Sequence, residues 1–501
     1  MSISKVSRRL TEALAPEVND IIFKPRLAGF DETFVPLGDI NKAHVVMLAE
    51  QGLIRPEHAS ALARGILAME EQGPGAVPLD PSREDAYFNY EAHLMSLVGA
   101  DIGGRLHTGR SRNDILATLD RLRGRAMLIE LIDVLLRVRT TALEQAERHA
   151  EVVMPGYTHL QPAQPMTYGF YLAGVAQALE RDSRRLMDTL SHMNVSPLGA
   201  AAFAGTPFAI DRQRTAGLLG FDTYIDNALD AVGSRDFLLE GIADLSLLAV
   251  FWSRVAQDYF VWTTHEFGLI EFPDSVATTS SIMPQKKNPV VLEYLKGRTG
   301  QIVAALMAGS MAIKGTHFTH TGDANREGTL GFWDAARETL RCLTLLELVL
   351  RTARPVAARA GRLAAEDFST ATALADHMVR AHDLSFRAAH HLVGAVVRDA
   401  MDRGVPADRI DADMVEAAAR EQLGAPLGID AQALRACLDP TRNVAARASA
   451  GSPSPDTLRA HVREAQGRLD DAHAFVDDWR TRLADAQREL QDTTRALAGH
   501  P

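Results

Sequence analysis

Residues Thr278 to Pro289 read TTSSIMPQKKNP, which sets two serines, two lysines and an asparagine around a Met-Pro turn. Asn288 is a good N-cap and Pro289 a good first residue for the apolar helix that follows, so the positive end of its dipole is expected to face the loop. Lys286, the loop amides and the helix terminus together suit an anion that gains charge during a reaction. Ser280 or Ser281 could then supply a nucleophile or a base. Taken singly, such residues more often mark a solvated turn, so their weight depends on three other polar segments. GYTHLQPAQP (156–165) reads as a proline-held turn between long helices, dense in polar groups: Thr158, His159, Gln161 and Gln164. A carboxylate partner would fix the His159 tautomer and raise its basicity, and Glu293 is the candidate. LHTGRSRND (106–114) places Thr108, Arg110, Ser111, Arg112 and Asn113 just ahead of the longest helix. Arginine binds planar carboxylates through two parallel hydrogen bonds, and a basic helix start opposes the macrodipole, which favours a ligand over a structural role. THFTHTGDANREG (316–328) is a polar interruption suited to line a pocket.

Long helices must position these segments. From Arg112 to Met154 there is no proline and one glycine, with Leu116, Leu119, Leu122 and then Met127, Leu131, Leu135 at helical spacing. At 1.5 Å per residue such a helix runs roughly 60 Å, the scale of an extended bundle. Similar proline-poor stretches at 166–195, 235–266, 289–314 and 329–353 complete five central helices, and 458–497 reads as a charged terminal helix. Alternating β-branched runs are missing, so the expected fold class is all-α. Breaks at RTARPVAARAGRL (351–363) and ASAGSPSPD (448–456) suggest units at 1–111, 112–364 and 365–501.

Composition narrows the chemistry. The 501 residues carry 53 Lys+Arg against 64 Asp+Glu, a net charge of −11, which disfavours a nucleic-acid or anionic-membrane partner. Cys342 and Cys437 stand far apart, His377, His382, His390 and His391 lack partners at ligand spacing, and neither a disulfide framework nor a metal site is expected. There is no dinucleotide or P-loop fingerprint. The opening MSISKVSRRLTEALAPEVND has no signal-like apolar core, and LSLLAVFW is far too short to span a membrane, so a cytoplasmic protein is expected.

SSIMPQKKNP resembles the signature loop of the fumarase/aspartase superfamily, and LHTGRSRND, GYTHLQPAQP and SFRAAHHLVG (385–394) resemble its argininosuccinate lyase branch. LDPTRNVAARASAG (438–451) extends the resemblance over nearly the whole chain. The resemblance implies a three-domain subunit whose central helices form a twenty-helix bundle in a homotetramer, with each active site shared among subunits. It also implies cofactor-free cleavage of a succinyl-bearing substrate to fumarate. Carried over, Ser280 is the base, and Lys286 and Asn288 hold the aci-carboxylate. His159 with Glu293 matches a charge-relay-like pair. Ser111, Arg112, Asn113 and Thr158 grip the carboxylates, and Gln161, Ser281, Met283, His320 and Asn325 are further expected substrate contacts.

The departures from the family pattern cluster. His320, Asn325 and Gly328 stand where Tyr, Gln and Lys are common, Val290 where an Asp is usual, Asn41 for Ser and Tyr87 for His. The fumarate half is kept and the amine half is changed, a pattern that resembles aminopolycarboxylate-cleaving members such as ethylenediaminedisuccinate (EDDS) lyase. Gly328 is expected to leave space, and His320 to change charge near neutral pH. The leading expectation is a carbon–nitrogen lyase that reversibly eliminates an amine from an N-substituted aspartate to give fumarate. The alternative is argininosuccinate lyase proper. A silent structural protein is disfavoured by the retention of Ser280, Lys286, Asn288, His159 and Glu293.

Overall fold

The structure, a computed structural model, describes residues 12–499; the expectation for the opening segment lies, for residues 1–11, outside them. Three helices, α1 (Phe30–Glu50), α2 (Pro56–Gln72) and α3 (Ala86–Val98), pack around Leu37, Ile40, Leu62 and Tyr90. The chain then enters α4 (Arg112–Arg148), whose 37 residues span about 55 Å at 1.5 Å each. This helix ends short of the expected Met154. Val152, Val153 and Pro155 favour extended backbone, and the chain turns instead into β1 (Val153–Thr158), paired antiparallel with β2 (Gln161–Thr167). The GYTHLQPAQP segment is therefore a strand hairpin rather than a simple turn.

Four more long helices follow: α5 (Tyr168–Met193), α6 (Asp236–Trp262), α7 (Val290–Ile313) and α8 (Leu330–Thr352). With α4 they enclose one core that includes Leu135, Leu172, Leu245, Trp252, Leu295 and Leu346. Two-residue strands β3 (Thr278–Thr279) and β4 (Lys287–Asn288) pair just ahead of α7. Beyond the bundle, α9 (Phe386–Asp402) and α10 (Ala412–Leu423) share a separate small core with Leu374 and Leu434. The last helix, α11 (Pro455–Ala498), does not join that core. It buries Leu458, Leu469 and Trp479 in the central core and Leu490 in the N-terminal one, riveting the two together along α4. The fold is all-α. Among the described residues no helix is long and apolar enough to cross a membrane.

Candidate active site

The β3–β4 ladder pairs Thr278 with Asn288 and Thr279 with Lys287, so Ser280 to Lys286 form a loop held closed at its base. Inside it the Ser280 Oγ accepts backbone N–H groups from Ile282 (3.3 Å) and Met283 (3.0 Å). Ser281 and Met283 face solvent. Of the two lysines, Lys287 is occupied: its Nζ donates to the Phe272 carbonyl at 2.5 Å and pairs with Asp274 at 2.7 Å. Lys286 is exposed and makes no ion pair among the described residues. Asn288 does not cap the helix. Its backbone belongs to the ladder, Pro289 takes the cap position, and α7 starts at Val290 without a side-chain cap. Glu293 lies exposed in that first turn.

At the tip of the β1–β2 hairpin, His159 (φ 57°) and Leu160 (φ 58°) are both left-handed, the arrangement of a two-residue turn that usually takes Asn-Gly. Neither residue is at ease there, and each such conformation costs about 1–2 kcal/mol. Both side chains project into solvent, with Thr158 and Gln161 beside them. The arm is bulged at Gly156/Tyr157, and Gly156 is required, since a Cβ would meet the Gln164 carbonyl at 2.7 Å. The Gln164 Oε1 accepts from Arg447 at 2.9 Å.

Ser111 caps α4, forming a capping box with Asp114. Buried Asp114 also accepts from the Gly199 (2.9 Å) and Ala201 (2.8 Å) amides, and burial pushes its carboxyl up to about 6 despite them. Asn113 donates to the Ala202 carbonyl at 3.1 Å. Arg112 stacks 4.8 Å from the Phe88 ring, and its Nη1 meets Glu84 at 2.6 Å and Asp85 at 3.2 Å. Arg110 is 5% exposed and donates from Nη2 to Asn41 Oδ1 at 2.6 Å beneath the Tyr87 ring, while its Nε and Nη1 are buried with no partner among the described residues. The departures at Asn41 and Tyr87 lie in this buried packing. The acidic partners also supply the structural reason for a basic helix start that the macrodipole argument lacks.

In the 316–328 segment, residues Asp323–Glu327 form one π-helical turn. Asn325 is buried, with its Nδ2 on the Val232 carbonyl at 3.3 Å. Burial, helped by Arg235, Arg326 and Arg112, pushes His320 down to about 4, so it is neutral near neutral pH rather than titrating there. The Asn325 Oδ1, His320 Nδ1 and Arg235 Nη2 are buried with no partner among the described residues. Gly328 opens no space, because an added Cβ would meet Ile313 Cγ1 at 2.5 Å. Arg326 reaches Asp85 at 3.2 Å, which ties this segment to Arg112, and a cleft of about 610 Å³ lined by Asp85, Asn325 and Arg326 opens beside them. A second cleft, about 530 Å³ around Phe170 and Tyr171, contains none of the candidate residues.

Asp85 thus joins the 106–114 and 316–328 segments within one chain, while among the described residues no side-chain hydrogen bond or ion pair links either of them to the 156–165 or 278–289 segments. The histidine–carboxylate pairs among the described residues are His107–Glu91 and His192–Glu240, and His159–Glu293 is not one of them. Glu84, Asp85, Arg235 and Arg326 were not singled out by sequence reading. Their only sequence signal is charge, which is common on any surface.

A family model described as a lyase matches residues 22–304, and one described as the argininosuccinate lyase C-terminal region matches 368–445. The chain belongs to the fumarase/aspartase superfamily, on its argininosuccinate lyase-like branch. Argininosuccinate lyase 1 of Shouchella clausii is 37% identical, covering 96% of this chain and 97% of that protein. The argininosuccinate lyase of Methanothermobacter thermautotrophicus is 39% identical over 85% and 91%. Among solved structures, EDDS lyase in complex with formate aligns with a TM-score of 0.88 at 31% identity, covering 98% of this chain and 97% of that one. A member of this superfamily branch, the protein is a carbon–nitrogen lyase of the fumarate-releasing kind.

Proposed function

We propose that the protein eliminates an amine from an N-substituted aspartate, releasing fumarate without a cofactor, and that the amine is not the guanidino group of arginine. The observation that carries the first half is Ser280, whose hydroxyl oxygen receives two backbone N–H groups in the loop that also holds Lys286, which makes no ion pair among the described residues, ahead of the uncapped start of α7. Those donors favour the alkoxide, making serine a competent base. The alkoxide takes the proton from the carbon next to one carboxylate, and the electron pair moves into that carboxylate. Lys286, Asn288 and the loop amides meet the added charge. Collapse forms the C=C bond and breaks the C–N bond; the nitrogen departs with the bonding pair and takes a proton from solvent water, and Ser280 returns its own proton to solvent. Ser111, Arg112, Asn113, Thr158, Gln161, Ser281 and Met283 hold the fumarate half. His159 and Glu293, contributed by different copies of a homotetramer, form the accompanying pair. Exposed Leu247 and Val250 on α6 and Met307 and Met311 on α7 give the central helices an apolar face suited to such an assembly.

For the amine half, Val290 offers no carboxylate to a cationic partner, and three guanidiniums act on neutral His320. That field suits an amine bearing carboxylates. EDDS lyase itself carries the aspartate and the tyrosine that its fumarate-bound variant replaces with methionines, so Val290 and His320 set this chain apart from EDDS lyase as well as from the arginine-pathway pattern. The second reading, argininosuccinate lyase proper, is favoured by the names of the curated relatives at 37–39% identity. A panel of amines with fumarate, followed by loss of fumarate absorbance with and without EDTA, tests the class. Comparing kcat/KM for argininosuccinate with that of the best N-substituted aspartate decides between the readings. Equal efficiency sinks the first, and no fumarate chemistry with any amine sinks both.

A further inference from the structure

Glu84 adopts φ 72° and ψ −47°, and the Asp85 N–H donates to the Arg83 carbonyl at 2.9 Å across it. This is the positive-φ γ-turn, a rare and strained conformation for any residue with a side chain. Nothing in the turn itself calls for glutamate. Glycine would relieve the strain, and the short 3₁₀ turn before it and the Asp85-capped α3 after it use only backbone atoms of residue 84 or the side chains of its neighbours. What the conformation does achieve is a 2.6 Å contact between the Glu84 carboxylate and Arg112 Nη1.

The other constraints on Arg112 converge on the same end of its side chain. Asp85 Oδ2 also meets Nη1 at 3.2 Å, and is itself held in place by Arg326 at 3.2 Å. The Phe88 ring lies 4.8 Å from the guanidinium carbon. The planar group is thus fixed by a ring contact and by two carboxylates on one nitrogen. Its Nε and Nη2 have no partner among the described residues and are not buried. An Nε–Nη2 edge is the fork that takes a carboxylate by two parallel hydrogen bonds. Holding the opposite nitrogen removes the rotamer freedom such a long side chain would otherwise lose on binding.

We infer that Glu84 is a positioning residue: its strained turn aims the free edge of Arg112 at a substrate carboxylate. This rests on the proposed role of Arg112 in holding fumarate. The test is calorimetric titration of fumarate into the wild-type protein and into Glu84→Gly, Glu84→Gln and Arg112→Ala, with thermal melts of each. Fumarate alone is used because its binding does not depend on which amine the enzyme accepts. Glu84→Gly is expected to weaken fumarate binding roughly tenfold to a hundredfold while melting at the wild-type temperature or higher, since glycine relaxes the turn. Glu84→Gln, which can still accept the hydrogen bond but carries no charge, is expected to lose less. Arg112→Ala should lose at least as much as Glu84→Gly. Wild-type affinity in Glu84→Gly beside a weakened Arg112→Ala overturns the inference and leaves the function intact. A lowered melting temperature in Glu84→Gly makes the residue structural and overturns it too. Wild-type affinity in Arg112→Ala removes the proposed fumarate grip itself, and the inference with it.

Discussion

Replacing Ser280 with alanine separates chemistry from folding. The hydroxyl is the proposed proton acceptor, and loss of such a group costs about 10²–10⁴ in rate, or about 3–5.5 kcal/mol of barrier at 1.36 kcal/mol per decade. Its structural work is smaller. Ser280 Oγ receives the Ile282 and Met283 amides at 3.3 and 3.0 Å, both exposed, so water can replace it. Losing them should cost less than about 1 kcal/mol. Ser281 is exposed and makes no side-chain hydrogen bond among the described residues, so Ser281→Ala should lose about tenfold or less. The assay is initial-rate loss of fumarate absorbance with a saturating amine, with thermal melts run in parallel. Equal losses in the two variants, or a wild-type rate for Ser280→Ala, would refute the assignment. A large drop in melting temperature for Ser280→Ala would show that the bonds serve the fold instead.

Because His159 and Glu293 do not pair within a chain, inactive His159→Asn and Ser280→Ala proteins, dissociated and reassociated together, should recover partial activity; a fully active monomer would exclude shared sites. His320 sits at about 4 folded against about 6.5 unfolded, so between those values the unfolded chain binds the extra proton. Stability is then fully present above the unfolded value and lost as pH falls towards 4. His320→Gln should flatten that loss in pH-dependent melts while leaving the kcat/KM profile above pH ~6.5 unchanged in shape; an altered profile there would mean that His320 titrates in the working range. Gly328→Lys should destabilise by about 1–3 kcal/mol through the clash with Ile313, and Ile313→Ala should recover part of it in denaturant titrations. A wild-type midpoint for Gly328→Lys would show the packing to be looser than the geometry says.

The helices were legible because their signal is local. A face of Leu116, Leu119 and Leu122 repeats within one turn or two, so α4 could be read from the chain alone, as could the charged run that became α11. The errors lie where a local preference met a non-local partner. Asn288 has the chemistry of a cap, but pairing with Thr278 ten residues away claims its backbone. Gly328 looks like room until Ile313, on another helix, is found against it. The His159–Leu160 turn carries none of the usual Asn-Gly signal, because there the chain adopts a backbone its residues do not favour.

The class of fold, the four polar segments and the residue types able to meet a growing carboxylate charge can all be read along the chain. Those properties belong to spacing and to side-chain chemistry, which need no partner. Which groups are free to act depends on the folded arrangement. Lys287 is taken up by Asp274 and Phe272, and the Gln164 Oε1 by Arg447, while the Lys286 side chain and one edge of Arg112 have no partner among the described residues. The folded arrangement also decides protonation: His320 is neutral because it is buried and because Arg235 and Arg112, distant in sequence, join Arg326 around it. Ionisation and hydrogen bonding are set by the dielectric and the charges within a few ångströms, and folding brings those together from positions that sequence order does not reveal.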